Sequence, residues 1–385
     1  MSRKKALVII PTYNEAENIE PLILSIINTS LEVKGYTVDI LVVDDISPDG
    51  TGRIVKKLAQ AQRNIHLLSG KKAGLGNAYI RALKYGLEKQ AFDAFIIMDA
   101  DFSHDPSYIP TFLSMLDQGY YYVVGSRYIQ GGAIPDNWPM LRRLNSTVAN
   151  LLARKLTGIG GMASDVTSGY KAIRTKALRC IDLDKLHVSG YFFQVALTYA
   201  FVFNGEFRIT EIPITFAKRK HGASKLGMRD ILEFIYRSYT LNPHSPARRI
   251  VRFCTVGLSG VAVNLATLTF LVSLFRINAI LSSAVAIETS IASNFLLNHI
   301  YTFSYSNCRS HHLKHLVGKF SKFNTLSLVG VGISLSIFTV LYKYAGLYYV
   351  LAQALAIVPS VCFNYWASST LVWKTGKDQR YLGML

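Results

Sequence analysis

The sequence predicts an α/β domain built on a mostly parallel sheet, followed by an all-α domain of four helices that cross a membrane. Three observations predict this fold class. Short apolar runs alternate with helical patterns as far as Pro243. Beyond Pro246, four apolar stretches are each near or above the roughly 20 residues that span a bilayer. The net charge of +18 is unevenly placed, with 12 Lys or Arg against only Glu288 and Asp378 after residue 246. An apolar content of 50% with such a charge fits a membrane protein with basic flanks, not a nucleic-acid binder.

The first strand is residues 6–10, ended by Pro11. The charged start Met1-Ser-Arg-Lys-Lys5 resembles that of a secretory signal, but five apolar residues before a proline are too few for its core. Strands follow at residues 38–43, 65–68, 94–98 and 121–124, with helices at 17–27, 51–62, 77–88 and 106–116 between them. Helices then cover both faces of the sheet, and ligands bind at the carboxyl ends of its strands. Three polar loops lie at those ends: Pro11-Thr-Tyr-Asn-Glu15, Asp44-Asp-Ile-Ser-Pro-Asp-Gly50, and the pair Asp99 and Asp101.

We divide the chain into residues 1–222, a short segment 223–246, and a membrane domain 247–385 with helices at about 253–275, 279–299, 324–344 and 348–373. The middle segment has apolar residues at helical spacing over 226–239, with Lys225, Arg229 and Arg237 to the side. It reads equally as a helix lying in the membrane interface and as one capping the first core. Cations gather before the first span (Arg248, Arg249, Arg252), between the second and third (Arg309, Lys314, Lys319, Lys322) and after the fourth (Lys374, Lys377, Arg380). By the positive-inside rule both ends, and the α/β domain with them, face the cytoplasm.

The membrane half contains a repeat. Arg252, Phe253, Thr255, Gly260, Asn294 and Phe303 match Lys322, Phe323, Thr325, Gly330, Asn364 and Trp373 at an offset of 70. Two crossings per copy make the copies parallel. Glu288 is an acid inside a span, and its repeat position holds Val358. A structural role would pair it with Asn264 or Asn294, while a functional role concerns oligomer contacts or lipid handling away from the α/β site. The four cysteines (Cys180, Cys254, Cys308, Cys362) are scattered, which points to a reducing compartment and away from a zinc site.

Asp99 and Asp101 follow a buried strand. Residues two apart on a strand point the same way, so both carboxylates reach one hard divalent cation, which in turn bridges to phosphate oxygens. The alternative is a strand-end turn capping the next helix. Arg127, and the run Lys218-Arg-Lys-His-Gly-Ala-Ser-Lys225, supply cations for a second phosphate. No Gly-x-x-x-x-Gly-Lys-Ser/Thr loop occurs, and Gly74-Leu-Gly76 reads as a tight strand-to-helix turn.

Taken in order, Pro11-Thr-Tyr-Asn-Glu15, Val42-Val-Asp-Asp45, Ser47-Pro-Asp-Gly-Thr51, Gly74-Leu-Gly76, Asp99-Ala-Asp101, Gly125-Ser-Arg-Tyr128, Asp165-x-Thr-Ser-Gly169 and Arg219-x-x-Gly-x-Ser-Lys225 resemble the dolichyl-phosphate mannose synthases. These are inverting family 2 glycosyltransferases of the Rossmann-like GT-A class. The membrane half resembles the GtrA-like four-helix domain fused to some of them. The resemblance implies that Pro11, Tyr13, Glu15, Val42, Asp44, Asp99, Ala100 and Asp101 hold the nucleotide sugar, GDP-mannose or a UDP-hexose. It implies Mg2+ or Mn2+ on Asp99 and Asp101, with Ser103 where relatives carry a metal-contacting Gln. Asp101, Arg127, Arg219 and Lys225 become the catalytic set, the last three holding the phosphate of a dolichyl or polyprenyl acceptor. In Gly190-Tyr-Phe-Phe-Gln-Val-Ala196, Ala196 stands where relatives often have Glu.

A lipid monophosphate has a second pKa of about 6 and is largely dianionic at neutral pH. It attacks an anomeric carbon without a protein base. The Gln-x-x-Arg-Trp string of processive polysaccharide synthases is missing, and the intact acidic and basic motifs stand against a purely transporting or scaffolding role.

Overall fold

The computed structural model describes residues 3–135, 138–186, 190–203, 206–217, 228–243, 245–304 and 313–373. The chain divides into two compact units between Pro243 and His244.

The first unit holds a seven-stranded sheet in the order β3-β2-β1-β4-β6-β5-β7. Its strands are β1 (Lys4–Thr12), β2 (Tyr36–Asp44), β3 (Ile65–Ser69), β4 (Ala94–Ile97), β5 (Tyr122–Ser126), β6 (Lys171–Arg174) and β7 (Ile209–Pro213). All neighbours are parallel except at β6, which runs antiparallel to both β4 and β5. The five expected strands are present. β6 and β7 carry no long apolar run and escaped the sequence reading.

Ala6, Leu7, Val8, Ile9 and Ile10 are fully buried, as a strand covered on both faces requires. On one face α1 (Ala16–Ser30), α2 (Thr51–Ala61) and α4 (Ile109–Asp117) close a core through Ile19, Ile23, Val55 and Phe112. On the other, α3 (Leu75–Glu88), α5 (Met140–Thr157), the short α6 (Thr175–Leu178) and α7 (Phe193–Phe203) pack Tyr79, Ala153, Leu178 and Phe193 together. α8 (Met228–Leu241) belongs to this unit. Its Phe234 meets Phe192 edge-on at 5.8 Å, and Asn242 Nδ2 donates to Thr157 O at the end of α5. The helix between the two halves therefore packs as a capping helix, yet leaves Ile231, Leu232, Ile235 and Tyr236 exposed.

The second unit has four helices long and apolar enough to cross a membrane: α9 (Pro246–Ser273), α10 (Ala279–Leu297), α11 (Leu313–Thr339) and α12 (Tyr349–Ala367), the last three each extended by a π-helical turn. α9 and α11 begin about two and three turns, respectively, before the apolar stretches do. Helix geometry tolerates the cations there, and Ser245 caps α9 by accepting the Arg248 N–H.

The contacts repeat with the sequence. A Cβ on Gly260 would lie 2.4 Å from the Asn294 amide, and one on Gly330 would lie 2.4 Å from that of Asn364. Ser290 Oγ donates to Gly260 O, and Ser360 Oγ to Gly330 O. Phe253 meets Tyr365 at 5.5 Å while Phe323 meets Phe295 at 5.8 Å, so counterparts exchange partners. Phe303 stacks on its own counterpart Trp373 at 4.3 Å and 7°. Residues that touch their own counterpart lie on an axis, so the two hairpins are related by a pseudo-twofold passing between these rings.

Candidate active site

The β1 and β2 ends are sewn together by backbone N–H groups. Asn14 N–H donates to Ser47 Oγ, Glu15 N–H to Thr51 Oγ1 and Ala16 N–H to Asp49 Oδ2, at 2.9–3.0 Å. Burial would raise the Asp49 pKa, but hydrogen bonds from Thr51 and Ala16 outweigh it and hold the carboxyl below its ordinary value. Asp44 accepts from Thr12 Oγ1 at 3.1 Å and from the Ser47 N–H at 3.0 Å. Next to it Asp45 pairs with Arg81 at 2.9 Å. Lys72, from the loop after β3, lies 3.4 Å from the Tyr13 ring centroid, a cation–π contact over the same crevice.

Backbone strain gathers here. Among the described residues five non-glycines have positive φ, and three of them, Asn14, Ile46 and Phe102, sit in the three strand-end loops. Each costs about 1–3 kcal/mol, so its retention marks a geometry the loop needs.

Asp99 is held from two sides. Tyr79, fully buried on α3, donates its hydroxyl to Asp99 Oδ1 at 3.1 Å. The Asp99 N–H donates to His104 Nδ1 at 3.0 Å, which leaves the His104 proton on Nε2. Burial, opposed by Asp99 and Asp101, lowers the His104 pKa, so the ring is neutral. A Cβ on Gly169 would come within 3.0 Å of His104 and 3.4 Å of the Asp99 carboxylate, so the loops pack tightly at this glycine. Asp101 Oδ1 accepts both the N–H and the hydroxyl of Ser103.

Beside them Arg127 forms a two-pronged pair with Asp165, Nε to Oδ2 at 2.6 Å and Nη2 to Oδ1 at 2.8 Å, and Nη2 also reaches Thr167 Oγ1. Asp165 is fully buried. Burial alone would raise its pKa, but the Arg127 charge and its hydrogen bonds hold the carboxyl below the ordinary value. Burial likewise opposes the Arg127 charge, and Asp165 outweighs it, so Arg127 is raised. Lys171, buried behind this pair on β6, donates to Gln194 O and Oε1 at 2.9 and 2.8 Å, and burial pushes its pKa well down.

The strand ends bring together Pro11, Tyr13, Glu15, Val42, Asp44, Asp99, Ala100, Asp101 and Ser103, with Arg127 at the end of β5. Arg219 and Lys225 lie outside the described residues. Tyr79, His104, Lys72 and the Asp45–Arg81 pair were not singled out from sequence. His104 sits inside Phe102-Ser-His-Asp-Pro106 and was within reach of that reading. Tyr79 is 20 residues from Asp99 and meets it only through the fold.

No group of three His, Cys, Asp or Glu residues that could hold a metal occurs among the described residues. Two carboxylates and a hydroxyl instead suit a small hard cation that completes its shell with substrate phosphates and water. The donor set fits Mg2+ or Mn2+.

A mostly parallel sheet with paired carboxylates at a strand end, and an arginine clamp beside them, fits the GT-A class of glycosyltransferases. Residues 7–182 match the family described as Glycosyl transferase family 2, and residues 252–373 match the GtrA/DPMS transmembrane domain. A dolichol-phosphate mannosyltransferase of Pyrococcus furiosus is 32% identical over 96% of this chain and 100% of its own length. A polyprenol monophosphomannose synthase of Mycolicibacterium smegmatis is 41% identical over 61% of this chain and 85% of its own. An undecaprenyl-phosphate mannosyltransferase of Micrococcus luteus is 41% identical over 58% of this chain and 87% of its own. The chain belongs to this family of polyprenyl-phosphate mannosyltransferases, and it is a membrane-embedded enzyme.

Proposed function

We propose that this enzyme transfers mannose from GDP-mannose to the phosphate of a dolichyl or other polyprenyl lipid, with inversion, at the cytoplasmic face of a membrane. The observation that carries the reading is the Asp99–Asp101 pair, held by Tyr79, His104 and Ser103 at the mouth of β4. The names of the relatives supply mannose and the lipid class, one of them over 96% of the chain.

Asp99 and Asp101 would hold Mg2+ or Mn2+, which would supply positive charge to the departing diphosphate. Tyr13, Glu15 and Asp44, with Pro11, Val42 and Ala100, line the nucleoside side. Arg127 and, beyond the described residues, Arg219 and Lys225 take the acceptor phosphate and align it in line with the anomeric carbon. The dianionic acceptor attacks directly, so the site needs no histidine base, in keeping with a His104 that is buried and already bonded to the Asp99 backbone. Two helices of the same unit face outward with apolar side chains, Leu144, Val148 and Leu151 on α5 and Leu232, Ile235 and Tyr236 on α8. Such faces suit the headgroup boundary where a lipid phosphate waits.

A panel of labelled nucleotide sugars with a polyprenyl phosphate and either metal tests this. GDP-mannose alone should give labelled lipid. Preference for a UDP-hexose would overturn the donor, and no lipid product from any donor would overturn the reaction.

Tyr79→Phe removes one hydrogen bond to Asp99 with almost no change in volume. Outer partners of ligating groups are typically worth 10–100-fold in metal affinity, so Mn2+ affinity measured by electron paramagnetic resonance should fall in that range. Unchanged affinity would detach Tyr79, and with it Asp99 Oδ1, from the metal.

A further inference from the structure

Because the two membrane hairpins repeat one another, a residue without a counterpart stands out. Glu288 on α10 is exposed near the middle of its span, and Asn324 Nδ2 on α11 donates to its Oε2 at 2.8 Å. Asn324, and not Asn264 or Asn294, is the partner. The counterparts of Glu288 and Asn324 are Val358 and Cys254. The same scaffold is thus built with no acid at the equivalent seam, and the polar pair is an addition to it. An ionisable group at this depth is costly in lipid and belongs against protein or water.

We propose that the α10–α11 seam is where two copies of this chain meet in the membrane, each Glu288–Asn324 pair facing the other. A carboxylate has two oxygens and an amide two N–H groups. With one of each engaged, the pair presents an acceptor beside a donor on one exposed face, a set complementary to itself. A twofold-related copy in the same membrane brings its own pair to the same depth, Asn324 of each giving its second proton to Glu288 of the other. Lipid tails offer neither donor nor acceptor. On α10, exposed Ala284 and Ala292 flank Glu288 one turn away on either side, which lets helices approach closely.

The test uses the full chain in lipid vesicles, with subunits counted by single-molecule photobleaching as protein density is varied. Wild type should be dimeric. Glu288→Val, which installs the residue of the second repeat, should raise the dimer dissociation constant about tenfold or more. In a background with the four cysteines replaced by Ser, Ala284→Cys should cross-link between copies, while Ala354→Cys at the matching place on the other seam should not. Glu288→Gln should leave transfer in detergent unchanged. A monomeric wild type, equal cross-linking at 284 and 354, or an unaltered Glu288→Val dimer would each overturn the proposal. The cross-linking comparison stands even where Glu288→Val fails to fold.

Discussion

Asp101→Asn is expected to lower sugar transfer on the order of a thousandfold while the chain still folds and inserts. On the proposed role of Asp101 as a cation ligand, losing its charge removes several kcal/mol of stabilisation for the departing diphosphate, and each ~1.4 kcal/mol is a factor of ten in rate. The loop should survive, because Asp101 Oδ1 accepts from the Ser103 N–H and hydroxyl, and an asparagine carbonyl accepts the same bonds. The check is turnover on GDP-mannose beside circular dichroism of the same preparation. Wild-type turnover by the folded variant would remove the cation from Asp101.

Asp165→Ala should cost the first unit about 3–5 kcal/mol, because it strands a buried guanidinium without its partner. The Arg127 and Asp165 side chains are only 8% and 0% exposed, so solvent screens little of this. For a unit of this size the melting midpoint should fall on the order of 10 °C, read by thermal unfolding in detergent. The double variant Arg127→Met with Asp165→Leu replaces both charges by apolar side chains and should recover much of the stability. It should remain inactive if Arg127 also serves the acceptor phosphate. Recovered activity would make the pair a clamp for the loop 165–169 and nothing more. The pair has a pH signature too. With its folded pKa depressed, Asp165 contributes its full stabilisation above the ordinary carboxylate value of about 3.9. That contribution is lost as pH falls below it through the folded value. The variant should therefore show a shallower acid-unfolding curve than wild type.

Much of the fold was legible because it is written in continuous apolar runs. β1, β2 and β4 are covered on both faces, and the membrane helices are apolar along their length. β6 was not legible. It is four residues, Lys171–Arg174, with a basic residue at each end, and its buried Lys171 amine donates to Gln194. α5 was not read from the sequence either, and its Leu144, Val148 and Leu151 are exposed. At the site, the strand-end motifs announced Asp99, Asp101 and Arg127. They did not announce that Arg127 spends two nitrogens on Asp165, or that Tyr79 reaches Asp99, because each contact joins residues far apart in sequence. The partner of Glu288 was misjudged for the same reason, as Asn324 comes from the other hairpin.

The central claim is that a lipid phosphate itself displaces the nucleoside diphosphate, with no covalent sugar–enzyme intermediate and no protein base. The most direct measurement is the anomeric configuration of the product, read by nuclear magnetic resonance after full-length enzyme has converted α-linked GDP-mannose in the presence of Mn2+ and a short-chain polyprenyl phosphate. A single in-line displacement gives β-linked mannosyl phosphate. An α-linked product would mean two displacements through a protein nucleophile, and would contradict the roles given to Arg127 and to the Asp99–Asp101 pair.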